Sequence, residues 1–328
     1  MSLYVDIRKQ LNNFCLEAAF ETNGEATAIF GASGSGKSMI LKCIAGIEKP
    51  DYGQIVFNDK VLFDARTKTN LPSRERNIGY LFQNYALFPN MSVSENIRIS
   101  NRVSDTELKE LLVKFEIENL ENVYPERLSG GQQQRAAICR MLAAKPDVLM
   151  FDEPFSAIDQ YLKAQLYKSL FNKIMDYHKY VFLVSHDFKE VYNLCEKILF
   201  INEGKILAYS EVKALYQEPQ KEEIARLLGY HNIFPVRDGR VEGWNYRLNQ
   251  VKPGKVCIPK EKIKIIYEKE PKLRFESYQI LDSFERTEVA FKNGSSELIA
   301  IFSNEEWQNR KDPFNLGIDE RDLIFVEE

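Results

Sequence analysis

The stretch Gly31-Ala32-Ser33-Gly34-Ser35-Gly36-Lys37-Ser38 has the spacing of a phosphate-binding loop, in which a glycine is followed after four residues by Gly-Lys-Ser. Its glycines let backbone N–H groups approach the β- and γ-phosphates of a nucleotide, where a Cβ atom would block them. Lys37 supplies a positive charge to these phosphates, and the Ser38 hydroxyl is a candidate ligand for Mg²⁺. The stretch predicts that residues 31–38 bind a nucleotide with Mg²⁺.

The residues on either side of the loop predict the strand–loop–helix unit that such a loop requires. Residues 26–30 (Ala-Thr-Ala-Ile-Phe) have the composition of a buried strand, and residues 39–45 begin a helix whose N-terminus would face the phosphates. A glycine- and serine-rich turn without function is the alternative, and the agreement of strand, loop and helix argues against it. The predicted fold class is therefore α/β, of the P-loop type.

A second candidate phosphate-binding element lies further along the chain. Leu128-Ser129-Gly130-Gly131-Gln132 is followed by Gln133-Gln134-Arg135. Two glycines that open a helix provide another anion-binding N-terminus, with the Ser129 hydroxyl as a donor. Because one nucleotide needs only one such loop, the economical interpretation is that two copies of the chain face each other. Segment 128–132 of one copy would then close over the nucleotide held by the other.

Segment 128–132 resembles the signature of the ATP-binding-cassette (ABC) family, which reads Leu-Ser-Gly-Gly-Gln. The resemblance covers residues 1–230 and implies ATP and Mg²⁺ as cofactors. It also implies a head-to-tail homodimer with two ATP molecules between the subunits. It assigns Ser129, Gly130, Gly131 and Gln132 to nucleotide binding, together with residues 31–38.

Further motifs of the family follow in order. Residues 148–151 (Val-Leu-Met-Phe) predict a buried parallel strand that delivers Asp152 and Glu153 at its carboxyl end. Asp152 is expected to bind Mg²⁺, and Glu153 to polarise the attacking water as the general base. Ser156-Ala157-Ile158-Asp159 resembles the family's D-loop, with isoleucine where leucine is usual, and Asp159 is therefore assigned to the nucleotide site.

Two more side chains are assigned to the reacting phosphate. Residues 181–185 predict a buried strand, and His186 is the one histidine of three that follows such a strand. The resemblance makes His186 the histidine that contacts the γ-phosphate, with a structural histidine as the alternative. Gln83 ends the predicted strand Tyr80–Gln83 and resembles the glutamine that reaches Mg²⁺ and the water, with a solvated loop residue as the alternative.

The adenine contact is expected from an aromatic residue upstream of the phosphate loop, as in other members of the family. Phe14 is the candidate, and Phe20 is the second choice. Stacking of the base on an aromatic ring contributes roughly 1–3 kcal/mol. An ordinary core phenylalanine is the alternative for Phe14.

Composition narrows the class of protein. The formal net charge of −4 and the pI of about 5.7 give no whole-chain reason to expect a nucleic-acid partner. No apolar run approaches the roughly 18 residues that span a bilayer, and no signal peptide precedes the first strand. The five cysteines are scattered and never spaced as C-x-x-C, which is typical of buried thiols in a reducing compartment.

The texture of the chain predicts two domains. A cassette at residues 1–230 contains a helical subdomain at about 84–146, in which residues 105–112 have helical spacing and Asp105 is the expected N-cap. Residues 231–328 alternate short apolar strands with turns, including a hairpin around Asn293-Gly294, and predict a small all-β, OB-like barrel. This layout resembles importer ATPases of the molybdate, sulfate and sugar groups.

The resemblance implies the ATP-hydrolysing subunit of an importer, bound to integral membrane permease subunits at the cytoplasmic face of the membrane and served indirectly by an extracytoplasmic solute-binding protein. Residues 83–93 are rich in aromatic side chains, and they would receive a short helix of the permease, with local core packing as the alternative. Molybdate is the expected solute, with sulfate, ferric iron, polyamine or sugar as alternatives. A soluble ABC ATPase of translation or DNA repair is the competing class.

Overall fold

The apolar segments of the first two thirds of the chain form one large twisted sheet. The computed structural model describes residues 2–11, 14–155, 171, 173–174, 180–244, 246–249, 254–267 and 273–327. It divides into two units, Met1–Val212 and Lys213–Glu328. The strands described in the first unit are β1 (Leu3–Gln10), β2 (Cys15–Thr22), β3 (Thr27–Phe30), β4 (Tyr52–Phe57), β5 (Lys60–Asp64), β6 (Thr69–Asn70), β7 (Ile78–Leu81), β8 (Val148–Asp152), β9 (Tyr180–Ser185), β10 (Lys197–Asn202) and β11 (Lys205–Glu211).

The order of these strands brings the carboxyl ends of five parallel strands to one edge of the sheet. The described strands are ordered β6-β5-β4-β1-β2-β11-β10-β3-β9-β8-β7. β10, β3, β9, β8 and β7 pair in parallel, whereas β1, β4, β5 and β6 pair antiparallel. In a parallel sheet the loops after neighbouring strands converge, and this is where ligands bind in open α/β folds. The predicted strands before the phosphate loop, Asp152 and His186 are thereby confirmed, and the α/β fold class with them.

Three of the α-helices described in the first unit lie in the segment 84–146 that was predicted to be helical. The described helices of this unit are α1 (Lys37–Ala45), α2 (Ser73–Arg76), α3 (Val93–Arg98), α4 (Asp105–Lys114), α5 (Gly130–Ala143) and Phe188–Leu194, with 3₁₀ turns at Glu118–Leu120 and Pro125–Arg127. The expected N-cap of α4 is off by one residue: Ser104 accepts from the backbone of Glu107, whose carboxylate accepts from the Ser104 N–H. A glutamate three residues after Ser104 completes this capping box, which makes Ser104 the N-cap.

Helix α1 is held by its buried face and by a cation at its C-terminal end. Its Ile40, Leu41 and Ile44 side chains are fully buried in the core that fills the space under the sheet. At its C-terminal end the buried guanidinium of Arg76 donates to the carbonyls of Cys43 and Ile44 at 2.9 and 2.8 Å. A cation that satisfies the last carbonyls of a helix also interacts favourably with the helix dipole. The phosphate-binding loop is therefore held in position by helix α1, which follows it, as well as by strand β3, which precedes it.

The second unit is a small β domain with its own core. Its described strands are β12 (Ile233–Arg237), β13 (Arg240–Val241), β14 (Tyr246–Arg247), β15 (Lys255–Cys257), β16 (Lys264–Ile266), β17 (Ser277–Asp282), β18 (Thr287–Asn293), β19 (Ser296–Phe302), β20 (Asn315–Gly317) and β21 (Ile324–Val326). They pair as β14-β13-β12-β15-β21, β16-β20 and β17-β18-β19. Helices lie at Val212–Gln217, Glu222–Leu227 and Asn304–Gln308. The predicted hairpin is confirmed, because Asn293 pairs with Ser296 across its turn.

The core of the second unit combines aliphatic and large aromatic side chains. Trp244, Phe291 and Phe302 are almost fully buried there. The predicted small β domain is thereby confirmed, whereas the boundary at residue 230 stays a prediction. Over the described part of the chain, every helix is too short or too polar to span a bilayer.

Candidate nucleotide-binding and hydrolytic site

The phosphate-binding loop joins β3 to α1 in a conformation that depends on its glycines, as Gly31 and Gly36 illustrate. A Cβ atom on Gly31 would clash with the carbonyl oxygen of Ile201 on the neighbouring strand β10. Gly36, the residue before α1, has a φ of 105°, which side chains rarely adopt. The N–H of Gly204 donates to the Ser35 carbonyl at 3.1 Å and ties the loop to the β10–β11 turn. The predicted loop is therefore tightly determined by its surroundings.

The inside of the loop is suited to an anion. The Lys37 ammonium donates to the carbonyls of Gly31 and Ala32 at 3.0 and 2.8 Å. Its burial lowers the lysine pKa, an effect that the charges of Glu153 and Asp152 oppose. Among the residues that the structure describes, no side chain caps the N-terminus of α1, so its first N–H groups are available to a ligand. The buried Ser35 hydroxyl has no hydrogen-bond partner among the described residues, and these donors together fit the phosphates of ATP.

Asp152 lies at the end of β8 and is held by two hydroxyl groups. Ser38 donates to its Oδ1 at 2.6 Å, and Tyr80 on β7 donates to its Oδ2 at 2.7 Å. The pKa of Tyr80 is raised, first by burial and then by the Asp152 charge. Within the described residues, no three His, Cys, Asp or Glu side chains cluster to hold a metal. Ser38 and Asp152 instead fit Mg²⁺, which is commonly bound by one or two carboxylates together with nucleotide phosphates and water.

Glu153 has an unusual backbone conformation directly after the strand. Its φ is 48°, in the left-handed region. Its N–H donates to the carbonyl of Val184 on β9 at 3.1 Å. The Nδ1 atom of His186 lies 3.5 Å from the Glu153 Oε1 atom, and the side chains are 59% and 24% exposed, respectively. The strand order therefore places the two predicted catalytic side chains together at the edge of the nucleotide site.

Gln83 lies two residues beyond the end of β7 and is exposed, so the strand ends earlier than predicted. β7 pairs with β8, which brings Gln83 to the same edge of the sheet as Asp152. After Gln83, Tyr85 is buried, as local packing predicts, whereas Phe88 is 42% exposed. The Arg140 guanidinium lies over the Phe88 ring, 5.6 Å from its centroid. The segment thus has both a buried part and an exposed aromatic part.

Phe14 lies beside the phosphate loop, as the adenine-stacking prediction requires. A cleft of about 820 Å³ is lined by Phe14, by Ser33, Gly34 and Ser35 of the loop, and by Cys15, Glu17, Asn202, Glu203 and Lys205. Phe20, the second choice, is buried in the core against Phe182. Stacking by Phe14 stays a prediction. The sequence did not predict Asn202, Glu203 and Lys205 of the β10–β11 turn as part of this cleft, because their local sequence does not indicate that the turn lies beside the phosphate-binding loop.

The signature segment is set apart from the phosphate loop within one chain. Ser129 caps α5, accepting from the Gln132 backbone at 3.4 Å while its own N–H donates to the Gln132 side chain at 2.9 Å. Ser129 and Gly130 are exposed, and a Cβ on Gly131 would meet nothing within 4 Å. Among the described residues, no hydrogen bond or ion pair joins segment 129–132 to residues 31–38. Asp159 and the rest of segment 156–159 lie outside the described residues.

Comparison with known proteins gives the family. The sequence profile described as ABC transporter matches residues 19–156. The chain is 38% identical over 222 residues to the molybdate/tungstate import ATP-binding protein WtpC of Methanocaldococcus jannaschii, covering 66% of this chain and 71% of that protein. It is 37% identical over 221 residues to the sulfate/thiosulfate import ATP-binding protein CysA of Synechocystis sp., covering 65% and 60%. It is also 36% identical over 221 residues to the molybdenum import ATP-binding protein ModC of Mannheimia succiniciproducens, covering 67% and 63%.

Solved structures agree with the sequence comparison. A dimeric ATP-binding cassette in a post-hydrolysis state bound to ADP and Pi matches with a TM-score of 0.54 and 27% identity, covering 65% of this chain and 99% of that one. The resemblance found from the motifs is therefore confirmed. The chain belongs to the ABC transporter family and is an ATPase that uses ATP with Mg²⁺.

Proposed function

We propose that the chain is the ATP-hydrolysing subunit of an importer, and that two copies close head to tail around two ATP molecules. The observation that carries this proposal is the exposed N-terminus of α5, which no described hydrogen bond or ion pair joins to the phosphate loop of its own chain. A helix N-terminus with an adjacent serine and glycines is suited to a phosphate. The phosphate that it binds is then the one held by residues 31–38 of the second copy.

Each side chain of the site has a role in this arrangement. Lys37 and the N-terminus of α1 bind the β- and γ-phosphates, and Ser38 and Asp152 hold Mg²⁺, which neutralises charge on the phosphate oxygens when bound. Glu153 orients and deprotonates the attacking water, and His186, 3.5 Å from it, contacts the γ-phosphate. Gln83 couples ATP binding and hydrolysis at this site to the aromatic-rich segment that follows it.

The partners follow from the relatives and from the surface after Gln83. The named relatives import molybdate/tungstate, sulfate/thiosulfate or molybdenum, at 36–38% identity to this chain. We therefore propose permease subunits as membrane partners, with Phe88 in the docking surface, and a place at the cytoplasmic face of the membrane. A tetrahedral oxyanion is the proposed class of solute, and molybdate is our first choice within it. An extracytoplasmic solute-binding protein would serve the permease.

The test is purification of the tagged full chain from detergent-solubilised membranes of its own cells, followed by reconstitution in liposomes. The proposal predicts an integral membrane permease in stoichiometric amount, and ATP-dependent uptake of labelled molybdate that unlabelled molybdate suppresses better than sulfate. Suppression by sulfate but not by molybdate would support an importer whose solute is sulfate. Recovery with ribosomes or DNA and no membrane protein would contradict the proposed function.

A further inference from the structure

The strained backbone at Glu153 needs support from neighbouring elements. A φ of 48° is uncommon for a residue with a side chain, and the proline that follows disfavours helical conformations at the preceding residue. Such a conformation persists only where the surrounding structure holds it in place. The position of the Glu153 carboxylate depends on this backbone, because its side chain begins at the strained residue.

Hydrogen bonds between described residues hold the turn on each side of the Glu153 side chain. Before it, the Glu153 N–H donates to the carbonyl of Val184 on β9. After it, the carbonyl of Pro154 accepts from the Nε2 atom of Gln134 at 2.7 Å. The hydroxyl of Tyr85 lies at 3.5 Å from the same carbonyl, at the limit of a hydrogen bond. Gln134 therefore supplies the short bond on the downstream side.

Gln134 belongs to the sequence run after the signature that the proposed roles leave unexplained. It lies on α5 and is 2% exposed, so its amide is withdrawn from water. Its neighbours in the run serve other places: Gln133 donates to the carbonyls of Pro125 and Leu128, and Arg135 donates to the Phe115 carbonyl. Within this run, the described hydrogen bonds give only Gln134 a bond to the turn of the proposed general base.

We infer that Gln134 is a positioning residue for hydrolysis: it fixes the Pro154 carbonyl and thereby holds the Glu153 carboxylate in the orientation that activates water. The inference rests on the proposed role of Glu153 as the general base. Because Gln134 lies on the helix that begins with the signature segment, the same helix then contributes to two nucleotides. Its N-terminus serves the nucleotide of the second copy, and its second turn serves the catalytic turn of its own chain.

The test compares Gln134→Met with the parent in the full-length chain. Methionine keeps the length of the side chain and removes the donor, which leaves the Pro154 carbonyl without its short bond. We expect kcat for ATP hydrolysis to fall roughly 10-fold, equivalent to about 1.4 kcal/mol in the activation barrier, while KM and the affinity for ATP stay close to the parent values. The matched control is Arg135→Met, which removes the bonds of the next residue of α5 to the Phe115 carbonyl and the Glu116 carboxylate without touching the turn, and should leave kcat near the parent value.

A double-variant comparison separates positioning from a general loss of structure. In a Glu153→Gln background the group that Gln134 positions no longer acts as a base, so adding Gln134→Met should not lower the residual rate further. An unchanged kcat in Gln134→Met, or a further 10-fold loss in the Glu153→Gln background, would overturn the inference. Near-normal hydrolysis by Glu153→Gln alone would instead contradict the proposed role of Glu153.

Gln134→Glu provides a second variant if the methionine variant folds poorly. A protonated carboxyl can donate to the Pro154 carbonyl, whereas an ionised carboxylate cannot. The ratio of variant to parent kcat should therefore rise as the pH is lowered. A ratio that does not change with pH would contradict the inference, because only the protonated carboxyl restores a donor to the Pro154 carbonyl.

Discussion

Replacing Tyr80 with phenylalanine removes one of the two hydroxyl groups that hold Asp152. The Tyr80 hydroxyl donates to the Asp152 Oδ2 atom at 2.7 Å, and the carboxylate is buried. A hydrogen bond to a charged group contributes about 1.5–3 kcal/mol, and loss of an outer-shell partner typically weakens metal binding roughly 10–100-fold. Ser38 still donates to the Asp152 Oδ1 atom in the variant, so the main loss is the fixed orientation of the carboxylate. We expect the Mg²⁺ concentration for half-maximal hydrolysis to rise about 10-fold or more.

The measurement is ATP hydrolysis at saturating ATP as Mg²⁺ is titrated, with thermal melting as a check on folding. Tyr180→Phe is the matched control, because the Tyr180 hydroxyl is buried on β9 and has no hydrogen-bond partner among the residues that the structure describes. It should leave the Mg²⁺ dependence unchanged. If folded Tyr80→Phe protein shows the same Mg²⁺ dependence as the parent, Tyr80 does not orient a metal ligand.

Three further predictions concern assembly, the second unit and pH. A Ser129→Arg chain should bind ATP but hydrolyse it poorly. Mixing it with a Lys37→Ala chain should restore activity, because each mixed dimer contains one intact composite site. Crosslinked mixed dimers without recovered activity would argue against a shared site. A chain ended at Tyr230 should bind ATP with nearly the parent affinity in a nucleotide titration. Failure of this chain to bind ATP would make residues 231–328 part of the cassette core. In the second unit the hydrogen bond from Lys255 chiefly lowers the pKa of Glu222 below 4.5, with burial opposing it. The stabilisation from this ion pair is present above pH 4.5 and is lost as the pH falls through the lowered pKa of Glu222. Glu222→Gln should therefore reduce the melting temperature near neutral pH and have no effect in acid. An equal effect at both pH values would refute the ion pair's contribution.

Sequence alone predicted the features that depend on local spacing. The phosphate loop needs glycines at fixed positions between a strand and a helix, and residues 31–38 show that need directly. The strand before Asp152 and Glu153 was predictable for the same reason, because a continuous apolar run is typical of a strand buried on both faces. The hairpin at Asn293-Gly294 follows from turn chemistry.

Contacts between distant parts of the chain were not predictable in this way. Tyr80 and Asp152 are 72 residues apart, and the parallel pairing of β7 with β8 brings them together. The bond from Gln134 to Pro154 likewise depends on where α5 packs rather than on any periodicity. The left-handed backbone of Glu153 had no sequence signal, since a glutamate before proline predicts an extended residue. These long-range features decide the geometry of the site.

The central claim is that Glu153 acts as the general base for hydrolysis of ATP held between two copies of the chain. The Glu153→Gln variant tests this claim most directly. Light scattering of the purified variant, with and without MgATP, should show a dimer that forms only with nucleotide and persists, while hydrolysis falls by about 10²–10⁴, the usual contribution of a general base. A variant that stays monomeric with ATP bound, or that hydrolyses ATP at nearly the parent rate, would contradict the account.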